Sequence, residues 1–203
     1  MKPSPVRLSC IFIFLLQFAF AQDNFVRNGG FEKDGNKDGV ADYWFVHPSS
    51  QQAVEGGEYT WVTTEPAPEG KAFMRLVKTG GKSAYFVSSE VPKEVNPMLM
   101  AAKGKTLQFT GKIRATGLEA GASATLLIFS EKPGSQAAHL AAAIPTAPLV
   151  TGNSGWTDVA VMVRLDDVIP PGEELHRIEV NLRNNSNTGH ADFDAVSLRL
   201  DAK

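Results

Sequence analysis

The sequence predicts an all-β protein built as an antiparallel β-sandwich, and three observations indicate this fold class. Apolar residues alternate with polar ones along several segments, which gives each segment one face for a core and one face for solvent. Turn signals that contain Gly and Pro separate these segments about every 8–12 residues, as in sandwiches and barrels. No apolar run with a helical period is long enough to supply the helices of an α/β fold.

Period-two alternation is clearest in four segments, and four others have the composition of strands. The first group is 106–117, 157–165, 176–184 and 191–200, and the second is 59–63, 72–78, 83–91 and 123–130. The spacing places on the core Leu107, Phe109, Gly111, Ile113, Val159, Val161, Val163, Leu165, Ile178, Val180, Leu182, Val196, Leu198 and Leu200. Two stretches, 94–102 and 136–143, are predicted as short helical turns that prolines limit. No repeat or linker divides the chain, so one domain is expected.

The N-terminus has the pattern of a secretory signal peptide. Lys2 and Arg7 precede the apolar run 8–20, which ends in an A-x-A cleavage site. This run is too short to span a bilayer as a helix, which needs about 20 residues; an uncleaved N-terminal anchor is the alternative. We therefore expect segment 1–21 to be removed. The mature domain, 22–203, would then be secreted, periplasmic or bound at the cell surface, without a membrane span.

Composition excludes several classes of protein. The net charge is −2 and the isoelectric point is near 6.1, so there is no basic surface of the kind that binds nucleic acid. Cys10 is the single cysteine and lies in the predicted signal peptide. The mature domain therefore has neither a disulfide framework nor a cysteine metal site.

Two motifs near the ends of the mature chain carry a resemblance to a known family. Residues 28–32 read NGGFE and are followed by Trp44, and residues 192–200 read DFDAVSLRL. This layout resembles carbohydrate-binding modules of families four, nine and twenty-two, which are jelly-roll sandwiches of the galactose-binding-like type. The resemblance implies a non-catalytic domain that binds a polysaccharide or another glycan. It also implies that the first and last strands pair and that a structural calcium ion lies where they meet.

The resemblance further implies which residues would hold that ion. Glu32 and Asp194 would supply carboxylates, and backbone carbonyls near Asn28 and Gly30 would complete the shell. Calcium takes six to eight oxygen ligands, which carboxylates and carbonyls provide. The family often has two adjacent acids in the last strand, whereas the second position here is Ala195. The alternative is that both acids are polar residues of a turn and an edge strand, with no ion.

A second candidate calcium site is the loop DGNKDGVAD. Its potential ligands are Asp34, Asn36, Asp38, the carbonyl of Val40, and Asp42. They fall at positions one, three, five, seven and nine of an EF-hand loop, and Gly39 takes the sixth position. Position twelve is Phe45 instead of glutamate, so the loop resembles the short calcium loops of thrombospondin type 3 repeats. The alternative is a solvated turn, because Asp, Asn and Gly are also common turn residues.

Aromatic residues suggest where a sugar would bind. Tyr59 and Trp61 are two residues apart, so they share one face of a strand and form the predicted stacking platform, with packing in the core as the alternative. Tyr85 joins them if its strand is a neighbour. Polar partners on central strands would be Arg75, Gln108 and Arg114.

Two other function classes remain open at this point. A jelly-roll polysaccharide lyase or hydrolase could use Tyr85, His139 and Arg114, but no catalytic motif links these residues. A structural or adhesive module of the cell surface, without a sugar site, is the other alternative, because one fold supports many functions. We expect a secreted, non-catalytic carbohydrate-binding module with structural calcium.

Overall fold

The computed structural model describes residues 24–46, 57–80, 85–101, 104–135 and 137–201. The predicted signal peptide lies outside this part of the chain, so its cleavage stays a prediction. Within the described residues, no helix is both long and apolar enough to cross a membrane.

The described residues form two antiparallel sheets, which confirms the predicted fold class. Sheet A contains β1 (Phe45–Val46), β4 (Tyr85–Glu90), β6 (Leu118–Glu131), β7 (His139–Pro145), β8 (Val150–Gly152) and β10 (Glu174–Asn184). Sheet B contains β2 (Gly57–Val62), β3 (Phe73–Lys78), β5 (Thr106–Thr116), β9 (Thr157–Arg164) and β11 (His190–Leu200). The strand order is β1-β4-β10-β6-β7 in sheet A, with β8 also beside β6, and β2-β3-β11-β5-β9 in sheet B.

Helices are short. A 3₁₀ turn, Lys93–Val95, leads into α1 (Asn96–Ala101), which confirms the helical turn predicted at 94–102, and α2 (Leu165–Val168) follows β9. The helical turn predicted at 136–143 is wrong, because most of that stretch belongs to β7. Its alanines favour a helix locally, but the long neighbouring strand β6 offers a backbone ladder to which β7 is paired.

The core lies between the inner faces of the two sheets and follows the predicted alternation. Every predicted core position is buried except Val161, which is half-buried. Phe31 and Trp44 are buried as well, with ring centroids 5.0 Å apart. Trp44 Nε1 donates a hydrogen bond to the Asn28 carbonyl at 3.1 Å, so the NGGFE motif is attached to the core.

The two ends of the described chain meet, as the resemblance to carbohydrate-binding modules implies. Phe25 N donates to the Leu198 carbonyl, and Val196 N donates to the Gly29 carbonyl, both at 2.9 Å. A Cβ atom on Gly29 would collide with the carbonyl of Val196, which explains why the motif needs glycine here. The N-terminal segment 25–29 therefore lies along the second half of β11, next to a bulge between Asp194 and Ser197.

Candidate functional site

The predicted stacking pair lies on the inner side of sheet B. Tyr59 and Trp61 are paired with Leu76 and Met74, which are fully buried, and both aromatic residues pack against the core. Trp61 Nε1 donates to the Phe31 carbonyl at 2.6 Å. Burial is the main factor that raises the pKa of Tyr59, and the charge of Asp38 adds to it. Both side chains are half-buried, so the structure favours the core-packing alternative, and a stacking role of this pair stays a prediction.

The hydrogen bond of Trp61 leads to a testable prediction. In Trp61→Phe an aromatic ring is kept but the N–H group is lost, so the buried Phe31 carbonyl loses a donor. We expect the free energy of unfolding to fall by about 1–3 kcal/mol, as measured by urea denaturation. Glycan binding should not change, and a loss of binding in a folded variant would contradict the structural role.

The other predicted sugar and enzyme residues are not brought together. Tyr85 begins β4 in sheet A, so its strand is not a neighbour of β2 in sheet B. His139 lies 3.2 Å from the Glu173 carboxylate at one end of sheet A. Arg114 lies on β5 in the other sheet. Tyr85, His139 and Arg114 thus lie on three strands of two different sheets, and the lyase alternative stays untested.

In the loop 34–42, side-chain oxygens already accept hydrogen bonds. Asp34 accepts from the backbone N–H groups of Asp38 and Gly39, and Asp42 accepts from that of Gly35. Asp38 accepts from Val40 N at 2.9 Å and from the amide group of Asn36. These hydrogen bonds order the loop, and calcium binding by it stays a prediction. The described residues contain no group of three or more His, Cys, Asp or Glu side chains placed to hold a metal.

The other two proposed calcium ligands differ in burial, because Asp194 is enclosed whereas Glu32 is exposed. Asp194 is fully buried and accepts from Glu69 N at 2.9 Å and Ala195 N at 2.7 Å. Glu32 accepts from the backbone of Lys71 and Ala72. The pKa of Asp194 is raised to about 7, mainly by burial and also by the nearby charges of Glu69 and Glu32. The hydrogen bonds from the two backbone donors lower the pKa but do not offset this rise. A carboxylate in this setting would gain from a bound cation.

The outer face of sheet B carries an arginine cluster, which consists of Glu65, Arg75, Arg114 and Asp192. Asp192 is fully buried and accepts from Nε of Arg75 at 2.7 Å and Nε of Arg114 at 2.8 Å. Both guanidinium groups also bind Glu65. Hydrogen bonding to Asp192 raises the pKa of Arg75, and hydrogen bonding to Arg75 lowers that of Glu65.

The arginine cluster is linked to an aromatic contact below it. Phe73 is fully buried and packs edge-on against Trp156, with centroids 5.4 Å apart. The guanidinium carbon of Arg114 lies 5.0 Å from both ring centroids. Because its charges satisfy one another, the cluster fastens the segment that bears Glu65 across sheet B. We interpret it as a structural network, so Arg75 and Arg114 are not free sugar contacts.

The outer face of sheet A carries a row of buried hydroxyl and amide side chains instead of a network of ion pairs. One row of residues crosses the whole sheet at matched register, and we call it the central row. From edge to edge it contains Phe45, Ser88, Asn181, Thr125 and Pro145. Ser88, Asn181 and Thr125 are buried, and Ser88 Oγ donates to Asn181 Oδ1 at 2.8 Å. Phe45, at the edge, is 41% exposed, so the central row combines buried polar groups with an exposed ring.

Further residues on the same outer face lie beside the central row, and the two sets together form the proposed groove. Glu179 is buried and accepts from Arg177 Nε at 2.6 Å. The Arg177 guanidinium lies over the Phe129 ring at 3.7 Å, and Leu140, paired with Phe129 on the edge strand β7, is 49% exposed. The groove thus offers an amide, two hydroxyls, a carboxylate and a guanidinium beside aromatic and aliphatic surface.

Sequence reasoning missed this groove. A signal for it was present in the strand 176–184, where Glu179 and Asn181 alternate with the predicted core residues Ile178, Val180 and Leu182. That alternation places an amide and a carboxylate on one outer face. It does not indicate which other strands lie beside them.

Comparisons with known proteins support the fold. No protein-family model matches the chain, and no curated protein matches it. Solved structures of similar fold include the CBM22-1 xylan-binding domain of Paenibacillus barcinonensis Xyn10C, at 13% identity and a TM-score of 0.55, over 89% of this chain and 96% of that one. The Stig cyclase Fisc from Fischerella sp. TAU is similar at 14% identity and a TM-score of 0.56, over 87% and 96% of the two chains.

A Bacteroides thetaiotaomicron protein, whose sugar-binding function is itself only proposed, is similar at 13% identity and a TM-score of 0.54. The similarity covers 88% of this chain and all of that one. At these identities the comparisons establish the jelly-roll sandwich fold. Because the fold occurs both in binding domains and in a cyclase, function has to be argued from the groove.

Proposed function

We propose that this chain is a non-catalytic carbohydrate-binding module and that a polysaccharide binds across the outer face of sheet A. One observation carries the proposal: the central row combines buried hydroxyl and amide groups with an exposed aromatic ring. Sugars present both polar hydroxyls and apolar ring faces, so a site for them needs both kinds of contact. The shared fold with a xylan-binding domain agrees with a ligand of this class.

Each part of the groove has an expected task. The Asn181 amide can both donate to and accept from sugar hydroxyls, and the hydroxyl groups of Ser88 and Thr125 lie beside it in the same row. Phe45 would stack against an apolar sugar face at the edge. The ion pair of Arg177 and Glu179 keeps both groups in fixed positions, which limits the entropy lost on binding.

The proposal is tested by two substitutions in the central row. We expect Phe45→Ala and Asn181→Ala each to weaken glycan binding about tenfold or more, because a central contact contributes on the order of 1.4 kcal/mol or more. Isothermal titration calorimetry with xylan, β-glucan and galactan oligomers measures the effect. Met162→Ala is the matched control, since Met162 is an exposed apolar residue on sheet B, and it should bind like the unmodified protein.

The outcomes separate the competing functions. Binding that survives both central-row substitutions would contradict the proposed groove. An absence of binding across a broad glycan array would favour the structural or adhesive surface module. Release of reducing ends or of unsaturated products would favour the lyase or hydrolase.

We place the proposed structural calcium at Glu32 and Asp194. The support is the full burial of Asp194 together with the nearby charges of Glu32 and Glu69, which a divalent cation would neutralise. A Cβ atom on Gly70 would collide with the Glu32 carboxylate, so this glycine leaves room for that side chain. Export by the N-terminal signal peptide remains part of the proposal and rests on the sequence pattern alone.

A further inference from the structure

Four polar side chains on the outer face of sheet B surround a second cleft. Gln108 and Thr110 lie on β5, and Arg199 and Ser197 lie opposite them on β11. Together with Glu69 they line a cleft of about 260 Å³. Their side chains form no hydrogen bond or ion pair with any of the described residues. On the same face, by contrast, the arginine cluster is internally paired and Lys112 forms an ion pair with Asp158.

The bulge in β11 explains why a cleft forms here. Between Asp194 and Ser197 the pairing with β5 is interrupted, and Ala195 has a positive φ of 52°. Asn24 and Gly30 of the N-terminal segment form one wall. The Asn24 side chain is held by hydrogen bonds to Val196 O and from Leu198 N, so this wall is fixed.

The chemistry of the lining residues defines the kind of ligand. Arg199 donates hydrogen bonds, Glu69 accepts them, and the amide and hydroxyl groups can do both. An anion would meet the charge of Glu69, and a cation would meet that of Arg199. Among the residues that the structure describes, no aromatic side chain lines the cleft, and its volume is below the usual range of about 300–1,000 Å³ for larger ligands. These properties suit one small molecule that is rich in hydroxyl groups.

We propose that this cleft is a second binding site, which takes a single sugar unit through hydrogen bonds alone. It lies on the opposite sheet from the polysaccharide groove and does not depend on that groove. A domain with both sites would contact two glycan segments on its two outer faces.

The test is an NMR titration of the ¹⁵N-labelled protein with D-xylose, D-glucose and D-galactose, with glycine as a zwitterionic probe. We expect the backbone amides of residues 108–110 and 197–199 to shift with at least one sugar. Arg199→Ala and Thr110→Val should each weaken that response about tenfold. Arg164→Ala is the matched control, because Arg164 is exposed at the end of β9 in the same sheet and does not line the cleft.

A failure of the second site can be told apart from a failure of the polysaccharide groove on sheet A. Asn181→Ala should leave the shifts at 108–110 and 197–199 unchanged, even if it abolishes polysaccharide binding. The absence of sugar-dependent shifts at these amides would overturn the second site. Shifts with glycine but with no sugar would overturn the assigned ligand class. Shifts that survive both cleft substitutions would overturn the assigned residues.

Discussion

Asp192→Ala is expected to lower the free energy of unfolding by about 3–5 kcal/mol. Asp192 is fully buried and accepts hydrogen bonds from Arg75 and Arg114. Without it, two guanidinium groups would remain close together with only Glu65 to balance them. Removing one partner from a buried ion pair is much more destabilising than the pair is stabilising, because it leaves a charge without compensation. Chemical denaturation with urea measures the change.

The matched control is Asp158→Ala. Asp158 pairs with Lys112 on the same sheet, but it is exposed, so its loss should change the free energy of unfolding by less than about 1 kcal/mol. If Asp192→Ala destabilised the protein no more than Asp158→Ala, the arginine cluster would not be the structural network that we describe. In the Asp192→Ala background, replacing Arg75 and Arg114 by methionine should restore part of the lost free energy of unfolding, because it removes the uncompensated charges.

The second large effect concerns Asp194 and pH. Burial raises the pKa of Asp194 to about 7 in the folded protein, compared with about 3.9 in an unfolded chain. As the pH rises, the unfolded chain therefore loses this proton first. The contribution of protonated Asp194 to the free energy of unfolding is fully present below about pH 4. It decreases between about pH 4 and pH 7 and is lost above about pH 7. The full difference is on the order of 4 kcal/mol at about 1.4 kcal/mol per pKa unit.

Asp194→Asn removes the ionisation and so tests both the pKa and calcium. In chelator at pH 8, we expect this variant to have a melting temperature several degrees above that of the unmodified protein. At pH 4 it should be slightly less stable, because an amide offers only one acceptor oxygen to the two backbone donors. With calcium at a hundredfold excess over Kd, the unmodified protein should gain about 2.7 kcal/mol and the variant should not.

Asp38→Ala is the control that separates the two candidate calcium sites. Its loop is closed by hydrogen bonds to backbone amides, so the variant should retain the response to calcium. A calcium response that disappears with Asp38→Ala but survives Asp194→Asn would place the ion in the loop 34–42. An unchanged melting curve of the unmodified protein with and without chelator would remove both assignments.

Much of the fold could be predicted because it depends on local pattern. Alternation along residues 106–117 and 176–184 identified strands and their buried positions, since a pleated strand sends neighbouring side chains to opposite faces. The family resemblance carried by NGGFE and the last strand implied that the ends meet. The exception, 136–143, shows the limit: its alanines favour a helix, but pairing with β6 decided the outcome.

The candidate site depends on strand order and register, which the local sequence pattern does not contain. Period-two spacing established that Tyr59 and Trp61 share a face, but it could not say which face meets the core. The pairing of β2 with β3 packs both residues, half-buried, against the core. The central row joins Ser88, Thr125 and Asn181, which lie on three strands that are distant in sequence. The sequence by itself therefore determined the strands and the core, because these follow from the repeat of side-chain direction, while the meeting of the ends was implied by the family resemblance. Only the tertiary structure decided which polar groups share a surface, because that depends on strand order and register.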